Sequence, residues 1–152
     1  MAKIPATETQ TFEVNAPIER VYEAFVNPEI VKENFVGLES AEFVEKDEVR
    51  WHVKEKVDKG MRFKGDYTVK YEGNGKDRVW WRSTAGNIET NAEVTLTQLP
   101  NGVRVVYRET LTPDLPIPKL MAKIFKPLVA REVRKDLTRY AENVKRYLNE
   151  KS

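Results

Sequence analysis

Two carboxylates stand on strand faces that are otherwise apolar. Glu55 follows Val53 in VRWHVKEKV (49–57), and Glu109 follows Val105 and Tyr107 in VRVVYRETLT (103–112). A carboxylate facing a core is costly unless it is paired or hydrogen-bonded, and burial raises its pKa. Such a group serves as a general acid/base or as an anchor for a ligand's polar end. The plainer alternative puts both at strand ends on a rim, meeting water or an arginine. Tyr67 and Tyr107 offer phenolic donors, and Thr90 and Ser83 lie on similar faces. As core aromatics, the same tyrosines would be satisfied by protein or water.

Other chemistries find little support. His52 is the one histidine and falls between Arg50 and Lys54 on the charged face, so no catalytic or metal role is expected. With no cysteine, disulfides and thiolate sites are excluded, and no carboxylate spacing suggests a metal. No cofactor is expected. Gly73-Asn74-Gly75 reads as a hairpin turn, not a phosphate cradle, and Ser83 has no histidine partner for a triad. Trp80-Trp81 must place one indole on each face of a strand. An exposed Trp80 then marks a partner surface or lies under a loop.

These residues need elements to position them. From Pro127 to Glu150, Val129, Val133, Leu137, Tyr140, Val144 and Leu148 recur at steps of three or four, one stripe of a helix. Pro127 suits its first turn. Ahead of it the period is two. Strands are expected over 7–15, 37–46, 49–57, 61–71, 78–85, 88–99 and 103–112, with charged or Gly-containing turns between the last six. Ala16-Pro17 introduces a short helix with Ile18, Val21, Tyr22 and Phe25 on one face. Asn27-Pro28 caps and starts a second, to about Glu33. Segment 113–127 holds three closely spaced prolines, then Leu120, Met121, Ile124 and Phe125 beside Lys119, Lys123 and Lys126. A short helix bent at Pro127 is expected there.

Short turns make the strands antiparallel, and one apolar face per strand leaves one sheet face to be covered by helices. The expectation is one domain over 1–152. No stretch reaches about 18 apolar residues, and the N-terminus lacks the apolar run of a signal peptide, so a cytoplasmic protein is the default. The 26 basic and 24 acidic side chains nearly cancel, which argues against nucleic acid as a partner. Residues 119–152, however, carry ten Lys/Arg against four Asp/Glu. The basic segment 119–151 is thus a solvated helix face or a contact for a peripheral membrane or acidic protein partner.

The opening FEVNAPIERVYEAFVNPE, with Ala16-Pro17, Val21-Tyr22 and Asn27-Pro28, resembles the START-like superfamily of polyketide cyclases and dehydrases, SRPBCC. The element order resembles its helix-grip fold: an α+β arrangement in which a curved seven-stranded antiparallel sheet wraps a long C-terminal helix, with two short helices after strand one. The resemblance implies a cavity between sheet and helix. Its expected lining is Trp51, Glu55, Phe63, Tyr67 and Trp81, then Thr90, Tyr107 and Glu109, with Val133 and Tyr140 from the helix. The superfamily hosts carriers, enzymes and assembly factors. Three readings follow. One is a binder of a hydrophobic or aromatic small molecule such as a lipid or polyketide-like compound. Another is a cyclase or dehydrase using cavity carboxylates and tyrosines. The third is an assembly or membrane-recruitment factor resembling the carbon monoxide dehydrogenase branch of the superfamily. Segment 113–127 is a lid in one case and a partner surface in another.

Overall fold

The structure is a computed structural model that describes residues 1–150, so Lys151, the last residue of the basic segment, lies outside the described residues. The fold is helix-grip. After β1 (Ala2–Lys3) and β2 (Ala6–Val14) come α1 (Ile18–Val26) and α2 (Pro28–Asn34). Six strands follow along the main sheet or beside it before β9 (Ile88–Leu99) and β10 (Gly102–Leu115): β3 (Leu38–Glu45), β4 (Glu48–Val53), β5 (Lys56–Asp58), β6 (Met61–Phe63), β7 (Asp66–Gly73) and β8 (Arg78–Gly86). A single 3-10 turn (Lys119–Met121) leads into α3 (Ala122–Glu150).

The main sheet is antiparallel in the order β1-β10-β9-β8-β7-β4-β3, with β2 also on β10. β10 is its hub: residues 102–113 pair with β9, 103–111 with β2, and 114–115 with β1. Inward positions alternate as the sequence pattern requires. Tyr67, Val69 and Tyr71 on β7, Val79 and Trp81 on β8, and Val103, Val105 and Tyr107 on β10 are all buried. The helix stripe read from the sequence, Val129 through Leu148, is buried too and faces the strands. Asn27 caps α2 by accepting from the Glu29 amide at 3.0 Å. Arg20 of α1 donates to the carbonyls of Leu148 (3.1 Å) and Tyr147 (3.3 Å), placing a cation at the negative end of α3.

Three expectations require correction. First, α3 starts at Ala122 rather than Pro127, which lies inside it. Packing of Phe125 into the core holds the first turns helical, although the proline removes one amide donor. At about 1.5 Å per residue the 29-residue helix spans roughly 44 Å.

Second, the single strands expected over 49–57 and 61–71 each break. Continuing the alternation past Val53 would bury Glu55. Instead the Lys54 amide turns to the Gly37 carbonyl (2.8 Å), and Asn87 occupies the other side of the break. Its side chain accepts from the Asp66 amide (2.8 Å) and donates to the Lys64 carbonyl (2.9 Å). β5 and β6 therefore form a separate two-stranded hairpin. Its turn is tight, with Lys59 and Gly60 both at positive φ (49° and 78°). Third, β1 adds an eighth strand to the sheet.

Candidate functional site

Curvature leaves a cavity of about 520 Å³ between the sheet and α3. Nine of the ten residues expected to line it do so: Glu55, Phe63, Tyr67, Trp81 and Thr90, then Tyr107, Glu109, Val133 and Tyr140. Trp51 does not. It is 0% exposed and lies behind the wall, its ring 4.7 Å from that of Phe35. Phe35, Val31 and Ile88 also line the cavity, which the sequence pattern does not predict. Their segments, short helix ends and a strand start, carry too brief a period to show which way a side chain points.

The two carboxylates part company. Glu55 sits exposed at the mouth, where Arg62 of β6 donates to it at 2.9 Å. Glu109 lies at the inner end, 6% exposed. Trp81 Nε1 (3.2 Å) and the Thr90 hydroxyl both donate to Glu109 Oε2, and the Tyr107 hydroxyl donates to Oε1. Among the described residues no cation touches it. Burial pushes its carboxyl above the usual range, and the three donors only partly offset that. Thr90 is aimed by its backbone: its amide donates to Ser83 Oγ at 3.0 Å.

An aromatic chain joins the sheet to the helix. Tyr71 and Trp81 rings lie 5.3 Å apart, Trp81 and Tyr107 5.7 Å, and Tyr107 and Tyr140 5.7 Å edge-on. The Tyr140 hydroxyl is enclosed and has no hydrogen-bond partner. Burial, then the charge of Glu109, raises the phenols of both Tyr67 and Tyr140.

At the mouth, charges bridge the separate hairpin to α3. Lys56 pairs with Asp136 and with Glu132 (3.5 Å), and Arg131 donates to Asp58 at 2.9 Å. The other candidates fall on the outer face. His52 meets Glu42 at 3.0 Å beside the Arg50–Asp66 ion pair. Trp80 is half-buried, its Nε1 donating to Glu72 at 2.9 Å.

Known proteins agree with this architecture. TTHA0849 from Thermus thermophilus superposes with a TM-score of 0.73 at 22% identity, covering 95% of this chain and 96% of that one. A START superfamily protein from Mycobacterium smegmatis gives the same TM-score of 0.73 at 13% identity, covering 96% and 99%. At such identities the likeness concerns the fold. No protein of curated function matches the sequence. Residues 15–148 match the family model described as activator of Hsp90 ATPase homolog 1-like protein, and the chain therefore belongs to that family, within the START-like (SRPBCC) superfamily.

Proposed function

We propose that this protein binds a hydrophobic or aromatic small molecule, lipid or polyketide-like, in the cavity beneath α3. The superfamily commonly binds hydrophobic ligands. The observation that carries the reading is a space of about 520 Å³, walled by aromatic and aliphatic side chains with a few polar groups at its inner end. That is the size and make-up of a small-molecule site. Val133 projects into this space from the middle of α3. Uptake of the neutral dye Nile red, measured by fluorescence, tests the idea. Saturable binding that Val133→Trp abolishes supports it. No uptake, together with no co-purifying ligand in native mass spectrometry, sinks it. Acid–base catalysis is less well supported, because Glu55 is on the rim and both oxygens of Glu109 already accept hydrogen bonds.

A second reading concerns where the ligand is exchanged. Leu120 is 93% exposed and Ile124 57%, beside exposed Lys119, Lys123 and Lys126. No acidic residue occurs between Asp114 and Glu132. Apolar side chains flanked by lysines suit the surface of an anionic bilayer. No helix among the described residues is long and apolar enough to cross one. Sedimentation with vesicles containing phosphatidylserine at low salt should carry the protein down, and Leu120→Ser/Ile124→Ser should release it. Equal recovery of both proteins in the supernatant rejects membrane docking.

A further inference from the structure

We propose that the ligand is an amphipathic anion. Its apolar body fills the cavity, and its anionic head sits in a window beside α3, held by Lys54, Lys135 and Arg139. This rests on the cavity-binding reading and adds the ligand's charge and its way in.

The window is framed by contacts that follow one another round a ring. Asn143 of α3 donates to the Asn34 carbonyl at 3.1 Å, which fixes the end of α2 against the helix. Three residues on, the Gly37 carbonyl accepts from the Lys54 amide at 2.8 Å and ties the α2–β3 link to the end of β4. Two residues further, Lys56 pairs with Asp136 and returns the ring to α3. Asp136, Arg139 and Asn143 are three and four residues apart, so they share one side of the helix. At about 1.5 Å per residue, Asp136 and Asn143 stand roughly 10 Å apart along it. Gly37, Lys54 and Arg139 are exposed and also line the cavity, so the ring surrounds an opening rather than a wall. A Cβ added at Gly37 would meet nothing within 4 Å. Next to the window the mouth is shut, because the hairpin is clasped to α3 through Lys56–Glu132 and Arg131–Asp58.

Charge pairing at the mouth is lopsided. Each acid that lines it has a cation: Glu55 has Arg62, Asp58 has Arg131, and Glu132 and Asp136 share Lys56. Three lining cations have no such partner. Among the described residues Lys54, Lys135 and Arg139 form no ion pair, and Glu39, whose charge Lys54 senses, is already paired with Lys64 at 2.8 Å. Lys54 lies on one side of the window, and Lys135 and Arg139 lie one helical turn apart on the other. A head placed there keeps part of its hydration and meets unpaired cations. The opposite orientation would strip an anion of water beside Glu109, whose oxygens already accept three hydrogen bonds. A cationic head in the window would meet only carboxylates that are already paired.

Three probes with one ring system and one arm test this: pyrene butanoate, pyrene butanol and pyrene butylammonium. Affinities are read by fluorescence titration at pH 7.5 and low salt. The butanoate should bind about tenfold more tightly than the butanol, the sum of a few exposed ion contacts, and the ammonium should bind most weakly. The butanoate's advantage should shrink at 1 M salt. Lys54→Gln/Lys135→Gln/Arg139→Gln should bring the butanoate to within about twofold of the butanol and leave the butanol unchanged. Lys46→Gln/Lys76→Gln/Lys145→Gln removes the same charge from exposed positions off the window and should keep most of the preference. Thermal melting checks that both variants fold. Equal binding of butanoate and butanol, tightest binding of the ammonium, a preference that survives the window substitutions, or one lost equally in both variants overturns the inference and leaves cavity binding standing. Failure of all three to bind, with Nile red also excluded, removes the cavity reading itself.

Discussion

Glu109→Gln should make the protein more stable, and increasingly so as pH rises. The carboxyl is buried without a cation, and its pKa lies above the ordinary value of 4.5 because burial outweighs three donated hydrogen bonds. A group whose folded pKa is raised contributes stability that is complete below the unfolded value and is lost as pH climbs through the folded one. The wild type should therefore weaken by about 1.4 kcal/mol for each pH unit between those two values, then level off. Glutamine has the same shape and cannot ionise. Its carbonyl can take the place of Oε2, accepting from Trp81 and Thr90, and its amide can donate to the Tyr107 oxygen. The two proteins should be near equal in urea unfolding at pH 4. The variant should gain steadily above that, with each kcal/mol appearing as roughly 2–4 °C in melting temperature. Other titrating groups cancel in the difference, since both proteins carry them. A variant whose advantage shrinks with pH would mean that the three donors dominate and that the carboxylate is the preferred form.

Leu148→Ala removes a fully buried side chain under the end of α3 and should cost about 2–5 kcal/mol in denaturant unfolding. Gly86→Ala should cost on the order of 1–3 kcal/mol, because Gly86 has φ +109° and an added Cβ would fall 2.3 Å from the Asp66 carbonyl oxygen. Raising salt to 1 M should speed amide exchange across 56–63 while leaving β10 unaffected, since exposed or half-exposed ion pairs tie the hairpin to α3. Exchange that accelerates equally in both places would assign the hairpin to the main cooperative unit.

The fold was readable because its two periods are clean. The strand faces of 67–71 and 103–107 and the stripe from Val129 to Leu148 each give one unambiguous burial pattern. Asn27-Pro28 showed its helix start by composition alone. The breaks near Glu55 and Gly65 were not readable, since they depend on Asn87, more than twenty residues further along the chain, taking hydrogen bonds that a continuous strand would have used. Pro127 misled for a related reason: a local breaker was overruled by the packing of Phe125. At the site, alternation singled out both carboxylates without telling them apart. The difference lies in where the sheet bends. Tyr140 was legible only as a member of the helix stripe; that its hydroxyl is unmatched depends on neighbours from β7 and β10, which spacing does not reveal.

The detached hairpin has a consequence for how this protein can diversify. Residues 56–63 hydrogen-bond to each other rather than to the sheet, so they can be exchanged or lengthened without shifting the register of any core strand. The Asn87 clasp and the Lys54–Gly37 contact would stay in place on either side of such a graft. Entry preferences can thus be rewritten as a cassette while the main-sheet strands are kept, and a library that holds Met61 and Phe63, which line the cavity and pack on the core, and varies the other six positions is the economical place to begin.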